Sequence, residues 1–428
     1  MNKFFKNNLI VPILWFCAKR VVKRHKPEVV AITGSLGKST AKALIGEVLV
    51  AKFGKENVLV SEASYNTEIG IPLVVLGIHV PGNTHSITGW LGVVLAALKK
   101  SFTSSFPKYV VLEAGADKPG DIEFITKRIK PKIAVVTAVS KTHLSEFKTE
   151  KGVTEEKLKL VSTLPKEGVA ILNADDKNVA KMADSIIARI ITFGKSAKAS
   201  VHLRNLHASR AGLHFEVREG ETSQTFSNKN FIAPYNTYAF LAAISVGLAY
   251  GIGLDEMETA LKSAKPLPGR MNPIAGIKGA EILDDSYNSS PKAAAEALGV
   301  LESLGKGKRK IAVLGQMNEL GKASKKEHEA LGKLAAKKAD LLLTVGPDAN
   351  EYLAKAAVLG GMKKTNMFEF ADADLAGKKL KSIISPGDII LFKGSQNNVR
   401  LEKAVKEVMA DPQKASELLC RQGEEWEN

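Results

Sequence analysis

Short, nearly unbroken apolar runs alternate along this chain with longer segments in which polar residues return every three or four positions. Residues 28–33 (EVVAIT), 109–115 (YVVLEAG), 132–139 (KIAVVTAV) and 168–176 (GVAILNADD) are of the first kind. A run rich in Val and Ile with little polar alternation suits a strand covered on both faces, and such strands build parallel sheets. Helical spacing fills 40–52 (TAKALIGEVLVAK) after the first of them. From about 191 to 232 the period becomes two, in SVHLRNL and GLHFEVRE, which predicts an antiparallel insertion. His202, His207 and His214 fall there without the spacing of a zinc site and read as surface strand residues. A helix follows in 235–251, with Asn236 placed to cap it. Two prolines and a glycine near 262–270 mark a linker. Beyond it EILDDSY, KIAVLGQM, ADLLLTVG and DIILFKG repeat the strand pattern, so a second doubly wound unit is expected. The predicted class is α/β. Residues 1–27 form a leading segment, 28–266 a domain with a mostly parallel sheet and a small antiparallel insertion, and 267–428 a Rossmann-like C-terminal domain.

The composition, 45% hydrophobic and 25% charged over 428 residues, allows two or three sizeable cores and excludes a disordered chain. A formal charge of +16 favours anionic partners without choosing among them. The lysines and arginines are spread along the chain with no basic stretch interleaved with aromatics, so no nucleic acid is expected. Cys17 and Cys420 stand near opposite ends, which fits a reducing compartment, and a cytoplasmic protein is expected. The apolar stretch Leu9 to Ala18 falls short of the roughly 20 residues that span a bilayer, and no small-residue cleavage site follows it. Trp15 and Phe16 beside Lys19, Arg20, Lys23 and Arg24 suit a helix lying on anionic lipid, and suit equally a leading helix packed on its own domain. The first alternative puts residues 4–26 in peripheral contact with the inner face of the membrane. A second apolar segment, 86–102 (SITGWLGVVLAALKKSF), is expected to be a buried helix rather than a membrane-facing one.

The first strand runs into TGSLGKST (33–40), which resembles a phosphate loop lacking its first glycine: Ile32 stands five positions before Gly37. At a strand-to-helix junction the backbone N–H groups of Gly34, Ser35, Leu36, Gly37 and Lys38 can face a phosphate. The helix dipole and the Lys38 ammonium add positive potential, and Ser39 or Thr40 can hold magnesium. A plain turn is the alternative, but packing gives no reason for G-K-S-T at such a junction. Ligands gather at the carboxyl ends of parallel strands. Glu113 ends the second strand and His143 follows the third, so both are candidate magnesium ligands. A lone histidine is usually structural; His143 gains weight by sharing that sheet edge.

TGSLGKST, SYNTEIGIPL, LEAGADKPGDI, THLSEF, NADD, PGR, DDSYNSSP, LGQMNELG and FKGS occur in the order and spacing of the Mur ligases, and over roughly residues 29 to 400 the chain resembles that family. DDSYN-x-x-P and LGxMxELG most resemble the branch that adds D-alanyl-D-alanine to a muramoyl tripeptide nucleotide. The resemblance implies an ATP-dependent amide ligase of cell-wall precursor synthesis working through an acyl phosphate. It implies Lys38, magnesium on Ser39 and Glu113, and a second magnesium near His143 as the cations that offset repulsion between carboxylate and triphosphate. It further implies a carbamylated lysine fourteen residues after His143, which is Lys157 in TEEKLKLV, with Lys159 as fallback. Arg270 would reach ATP from the domain junction, Asp285 would help hold the nucleotide, and Asn236 would contact adenine. Asn66, Thr67, Tyr287, Asn288, Lys393 and Ser395 are the implied substrate contacts.

Two positions and one segment depart from the family pattern. Ala239 replaces a second asparagine near the adenine, and Gln396 replaces an arginine usual in the D-alanyl-D-alanine branch. The segment ahead of Glu28 is too short for the separate uridine-nucleotide domain of that branch, so either the remaining domains grip the nucleotide or the substrate differs, for instance by attachment to lipid. A Mur-like ligase acting elsewhere, adding glutamate to a folate or building a polymer, and a non-catalytic nucleotide-binding scaffold are the competing readings.

Overall fold

The computed structural model of the chain describes residues 9–61, 68–79, 86–140, 142, 144–395, 399–423 and 426. Among them are two sheets. The first comprises β1 (Glu28–Thr33), β2 (Val58–Val60), β3 (Tyr109–Glu113), β4 (Ile133–Val136), β5 (Val169–Asn173), β6 (Arg189–Gly194), β7 (Val201–Ser209), β8 (Gly212–Glu219) and β9 (Thr222–Asn228), in the order β2-β3-β1-β4-β5-β6-β7-β8-β9. Pairing is parallel from β2 through β7 and antiparallel from β7 to β9. The alternating stretch is the expected small antiparallel part. It extends the edge of the parallel sheet, because β7 joins β6 in parallel register through Phe193↔Val201 and Gly194↔His202. His202 is partly covered, and His207 and His214 are exposed partners across β7 and β8.

β1 shows why its run needs no polar position. Val29 and Ala31 enter one core beneath the helices Val11–His25, Gly70–Leu76 and Glu150–Ser162, while Val30 and Ile32 enter another beneath Lys38–Phe53 and Thr237–Ala249. Side chains of one strand alternate between faces, so a strand with helices on both sides must be apolar throughout. Its end lies between β3 and β4, where the chain crosses outward to β2 and later returns through β3 to β4 on the far side. Such a crossover point opens a crevice at the strand ends.

The second sheet comprises β10 (Asn272–Ala275), β11 (Glu281–Asp285), β12 (Lys310–Gly315), β13 (Leu341–Val345), β14 (Met367–Phe370) and β15 (Ile389–Lys393), ordered β10-β11-β15-β12-β13-β14. All pairs are parallel except β10 with β11. Pro273 lies in β10, an edge strand, where its missing N–H costs no ladder bond. The sheets meet through Arg210 Nε to Glu281 Oε2 at 3.1 Å and Ser145 N donating to Glu319 O at 3.2 Å.

Candidate active site

The helix after β1 begins at Lys38, two residues earlier than its spacing suggests. Gly34 has φ +148°, and a Cβ there would lie 2.0 Å from Thr137 Oγ1. Gly37 caps the helix in the left-handed region at φ +77°, which favours glycine. The loop is also fastened to the chain after β4. Ser35 N donates to Ala138 O at 2.6 Å, Ser140 N to Ser35 Oγ at 3.0 Å, and Thr137 Oγ1 to Leu36 O at 2.5 Å. Two neighbouring strand ends thus hold the cradle rigid, leaving Ser35, Leu36, Gly37, Lys38, Ser39 and Thr40 to line an open cleft.

At the end of β3, Glu113 is 4% exposed. Its Oε2 accepts from Ser39 Oγ at 2.9 Å, and Oε1 lies 3.9 Å from Lys38 Nζ. Burial holds the Lys38 ammonium below its ordinary pKa while the Glu113 charge opposes that shift. From the start of the second unit, Arg270 Nη2 donates to Ser39 Oγ at 3.3 Å, and its guanidinium stacks 4.0 Å over the Tyr287 ring. Lys42, one turn along the same helix, was passed over by sequence reasoning. It is 2% exposed, donates to Ser61 Oγ at 2.9 Å, and burial pushes its pKa down. Its position one turn after Lys38 was the available signal.

Lys157, in the helix Glu150–Ser162, is 3% exposed. Burial, reinforced by the positive charge of Lys38, pushes its pKa from 10.5 down to about 7. Lys159 is in the opposite condition: it pairs with Glu156 at 2.8 Å and Glu123 at 3.8 Å, and its pKa is raised by the hydrogen bond to Glu156. Only neutral amine reacts with CO₂, so these environments distinguish the two lysines chemically.

On the far wall, Lys393 pairs with Asp285 Oδ2 at 2.8 Å and donates to Asn288 O at 2.6 Å. Asp285 also accepts from Met271 N at 3.2 Å. Arg270, Asp285, Asn288 and Lys393 all line the cleft. Ser395 does not join them, because it is fully buried and its hydroxyl donates to Gln316 O at 2.6 Å. Asn236 is no side-chain cap, since a short 3-10 turn, Pro234–Asn236, leads into the helix from Thr237. Its Nδ2 is instead buried without a partner on the cleft wall, as are Tyr235 OH, Ser289 Oγ and Ser290 Oγ. Buried polar atoms without partners are costly unless a ligand or water completes them. Sequence reasoning did not single out Tyr235, Ser289 or Ser290 individually, although the last two lie inside the DDSYNSSP motif. Asn66, Thr67, His143 and Gln396 lie outside the described residues.

The Mur ligase middle domain matches residues 32–247, and the Mur ligase glutamate ligase domain matches residues 269–396. This chain belongs to the Mur ligase family. The UDP-N-acetylmuramoyl-tripeptide--D-alanyl-D-alanine ligase of Bacillus subtilis is 27% identical over 396 residues, covering 92% of this chain and 79% of that one. The enzyme of the same name from Escherichia coli is 29% identical over 392 residues, covering 90% and 78%. Among solved structures, the MurF ligase of Thermotoga maritima in complex with ADP superposes with a TM-score of 0.76 at 25% identity, covering 93% of this chain and 83% of that one. This Mur ligase is an ATP-dependent enzyme, and its two-sheet architecture is that of the family.

Proposed function

We propose that this Mur ligase joins D-alanyl-D-alanine to a muramoyl tripeptide nucleotide in peptidoglycan precursor synthesis. The reading is supported by the convergence of Lys38, Ser39, Glu113 and Arg270 on one cleft between the sheets, together with the names carried by its relatives. On this reading the cradle 34–40 holds the ATP phosphates, with Lys38 and Arg270 as the cations nearest the transferring group. The unpartnered Asn236 amide faces the base, leaving Ala239 to contribute only apolar contact. A substrate carboxylate oxygen attacks the terminal phosphorus and ADP leaves. The amine nitrogen of the dipeptide then attacks the acyl carbon, loses its proton, and the phosphate departs with the electron pair of the carbon–oxygen bond. Bringing a carboxylate to a triphosphate concentrates negative charge, so fixed cations at the seam lower the barrier to the first step.

The residues also fit magnesium and a carbamate. Ser39 and Glu113 set a hydroxyl and a carboxylate oxygen 2.9 Å apart, the hard oxygen donors that magnesium takes. Lys157, with a pKa pushed down to about 7, has the neutral amine that carbamate formation needs. One magnesium held by Ser39 and Glu113, and a second held by His143 and the carbamate of Lys157, would neutralise phosphate charge. Asp285 and Lys393 act as a paired tie across the second wall, Asn288 faces the acceptor, Tyr287 backs the Arg270 guanidinium, and Asn66 and Thr67 are assigned to the same substrate by motif. The test is phosphate release from ATP by the purified chain with magnesium and candidate substrate pairs. Release dependent on both muramoyl tripeptide nucleotide and D-alanyl-D-alanine supports the assignment; release with glutamate and a folate instead would overturn it.

A further inference from the structure

Eleven large apolar side chains are notably exposed among the described residues, and seven of them, Leu9, Phe16, Ile87, Leu91, Leu95, Leu98 and Phe102, come from one region. Five of these belong to the helix Ile87–Ser101 and its C-cap. The segment expected to be buried is thus only half so. Trp90, Val93 and Ala97 enter the core, whereas Ile87, Leu91, Leu95 and Leu98 recur every three or four residues and form an outward stripe 39–65% exposed. Beside it packs the helix Val11–His25, whose Leu14, Trp15, Cys17, Ala18 and Val21 face the same core. Its outer face is divided: Leu9, Pro12 and Phe16 are exposed towards its start, and Lys19, Arg20, Lys23 and Arg24 towards its end.

The basic end adjoins the end of the apolar stripe. The Arg20 guanidinium lies 4.5 Å over the Phe102 ring, and Arg24 Nη1 donates to Phe102 O at 3.5 Å. Lys99 and Lys100 close the second helix and are also exposed. Neither helix contains an acidic residue. Contiguous exposed apolar surface on a folded domain marks an interaction site, and the charged side chains that these two helices place beside it are all cationic.

We propose that these two helices form a platform that lies on an anionic lipid bilayer, with Ile87, Leu91, Leu95, Leu98 and Phe16 entering the acyl boundary and Lys19, Arg20, Lys23, Lys99 and Lys100 meeting lipid phosphates. The platform sits on the bilayer without crossing it, because no helix among the described residues is long and apolar enough to span one. Charge argues for lipid over a second copy of the chain: two copies pairing through this face would set one cationic rim against another, with no acidic residue on either helix to offset it. The lipid contact is broader than a leading segment alone, since the helix Ile87–Ser101 supplies most of the apolar stripe.

The test is flotation of the full chain with vesicles of phosphatidylcholine, with and without about one third phosphatidylglycerol. Binding is expected to the anionic vesicles and to weaken steeply with added salt. Each exposed cation removed should lower the partition about five-fold, taking roughly 1 kcal/mol per basic residue near an anionic surface. Leu91→Asp with Leu95→Asp should abolish binding, as should Lys19→Glu with Lys23→Glu. Both double variants should keep wild-type ATP-dependent phosphate release in solution and the wild-type melting temperature, which excludes misfolding as the cause. Equal binding to neutral vesicles, or binding insensitive to the charge reversal, would overturn the proposal. So would a wild-type dimer in sedimentation that Leu91→Asp dissociates while vesicles fail to bind, because the face would then belong to a second copy.

Discussion

Replacing Lys157 by methionine should stabilise this protein while silencing it. The amine is 3% exposed, and its pKa falls from 10.5 to about 7 on folding, mainly through burial and secondly through Lys38. A fall of that size corresponds to roughly 5 kcal/mol at 1.36 kcal/mol per unit, which is a ceiling on what the native state gives up when the amine is protonated. The sign follows from proton counts. Between pH 7 and 10.5 the unfolded chain holds the proton more tightly than the native one, so stability contributed by this site rises with pH across that window. Below pH 7 both states are protonated and the full destabilisation is present. Methionine is of similar volume and carries no charge, so its benefit should be largest near pH 6 and fade towards pH 10. Thermal or denaturant unfolding of wild type and Lys157→Met in CO₂-depleted buffer without nucleotide measures this directly. An increase of several degrees at pH 6, together with loss of ligation, is expected. A variant no more stable at pH 6 than at pH 10 would refute the reasoning about burial, and a variant that still ligates would refute the carbamate role.

The remaining predictions concern the cradle and its charge. Lys38→Met should lower the rate of phosphate release on the order of 10²-fold or more with the fold intact, because a cation beside the transferring phosphoryl group is removed; saturation kinetics and a melting curve separate the two effects. Gly34→Ala would force a Cβ to within 2.0 Å of Thr137 Oγ1, so it should destabilise the chain and weaken nucleotide binding, and Thr137→Ala in the same chain should recover part of both losses. Lys159→Ala should leave ligation close to wild type, since that amine is held protonated by Glu156, and a large loss would reopen the choice between the two lysines. In CO₂-depleted buffer, nucleotide binding near neutral pH should take up protons, because the burial that lowers Lys157 to about 7 is opposed once phosphate arrives; calorimetry in buffers of different ionisation enthalpy would show it, and proton release would contradict it.

Legibility in the sequence followed the strength of the local signal. Long apolar runs such as 28–33 and 109–115 announced β1 and β3, and the G-K-S-T junction announced the cradle, because backbone and side-chain demands there are local. The strands β2, β10 and β14 gave no such sign: VLV is three residues long, NPIA contains a proline, and MFEF is short, and each sits on or near a sheet edge where neighbours, not pattern, decide pairing. The exposed stripe on 87–102 was missed for a related reason. An apolar helix with Gly and Ala in its other positions looks buried all round until its neighbours show which face is covered. Lys42 and the Ser289–Ser290 pair were invisible as site residues because their significance depends on atoms far away in sequence, Ser61 for one and the opposite cleft wall for the other.

The distribution of charge across the cleft assigns different work to its two walls. Behind the first wall lie three lysines, 38, 42 and 157, whose charged forms burial disfavours and whose shifts Glu113 opposes, and of these Lys38 lines the cleft. The second wall is close to neutral by contrast, since Lys393 is already matched by Asp285 at 2.8 Å, and what it offers are hydroxyls without partners at Ser289 and Ser290. Arg270 is placed between the walls, stacked on Tyr287 and touching Ser39. A triphosphate would therefore be drawn to the first wall, where it offsets the desolvation of the Lys38 ammonium, while an acceptor rich in hydroxyl and amide groups would suit the second. Stability given up at Lys157 keeps its amine neutral and open to CO₂, and the carbamate so formed would be an anion able to hold magnesium, which is why a methionine there should make a better-folded protein and a poorer ligase.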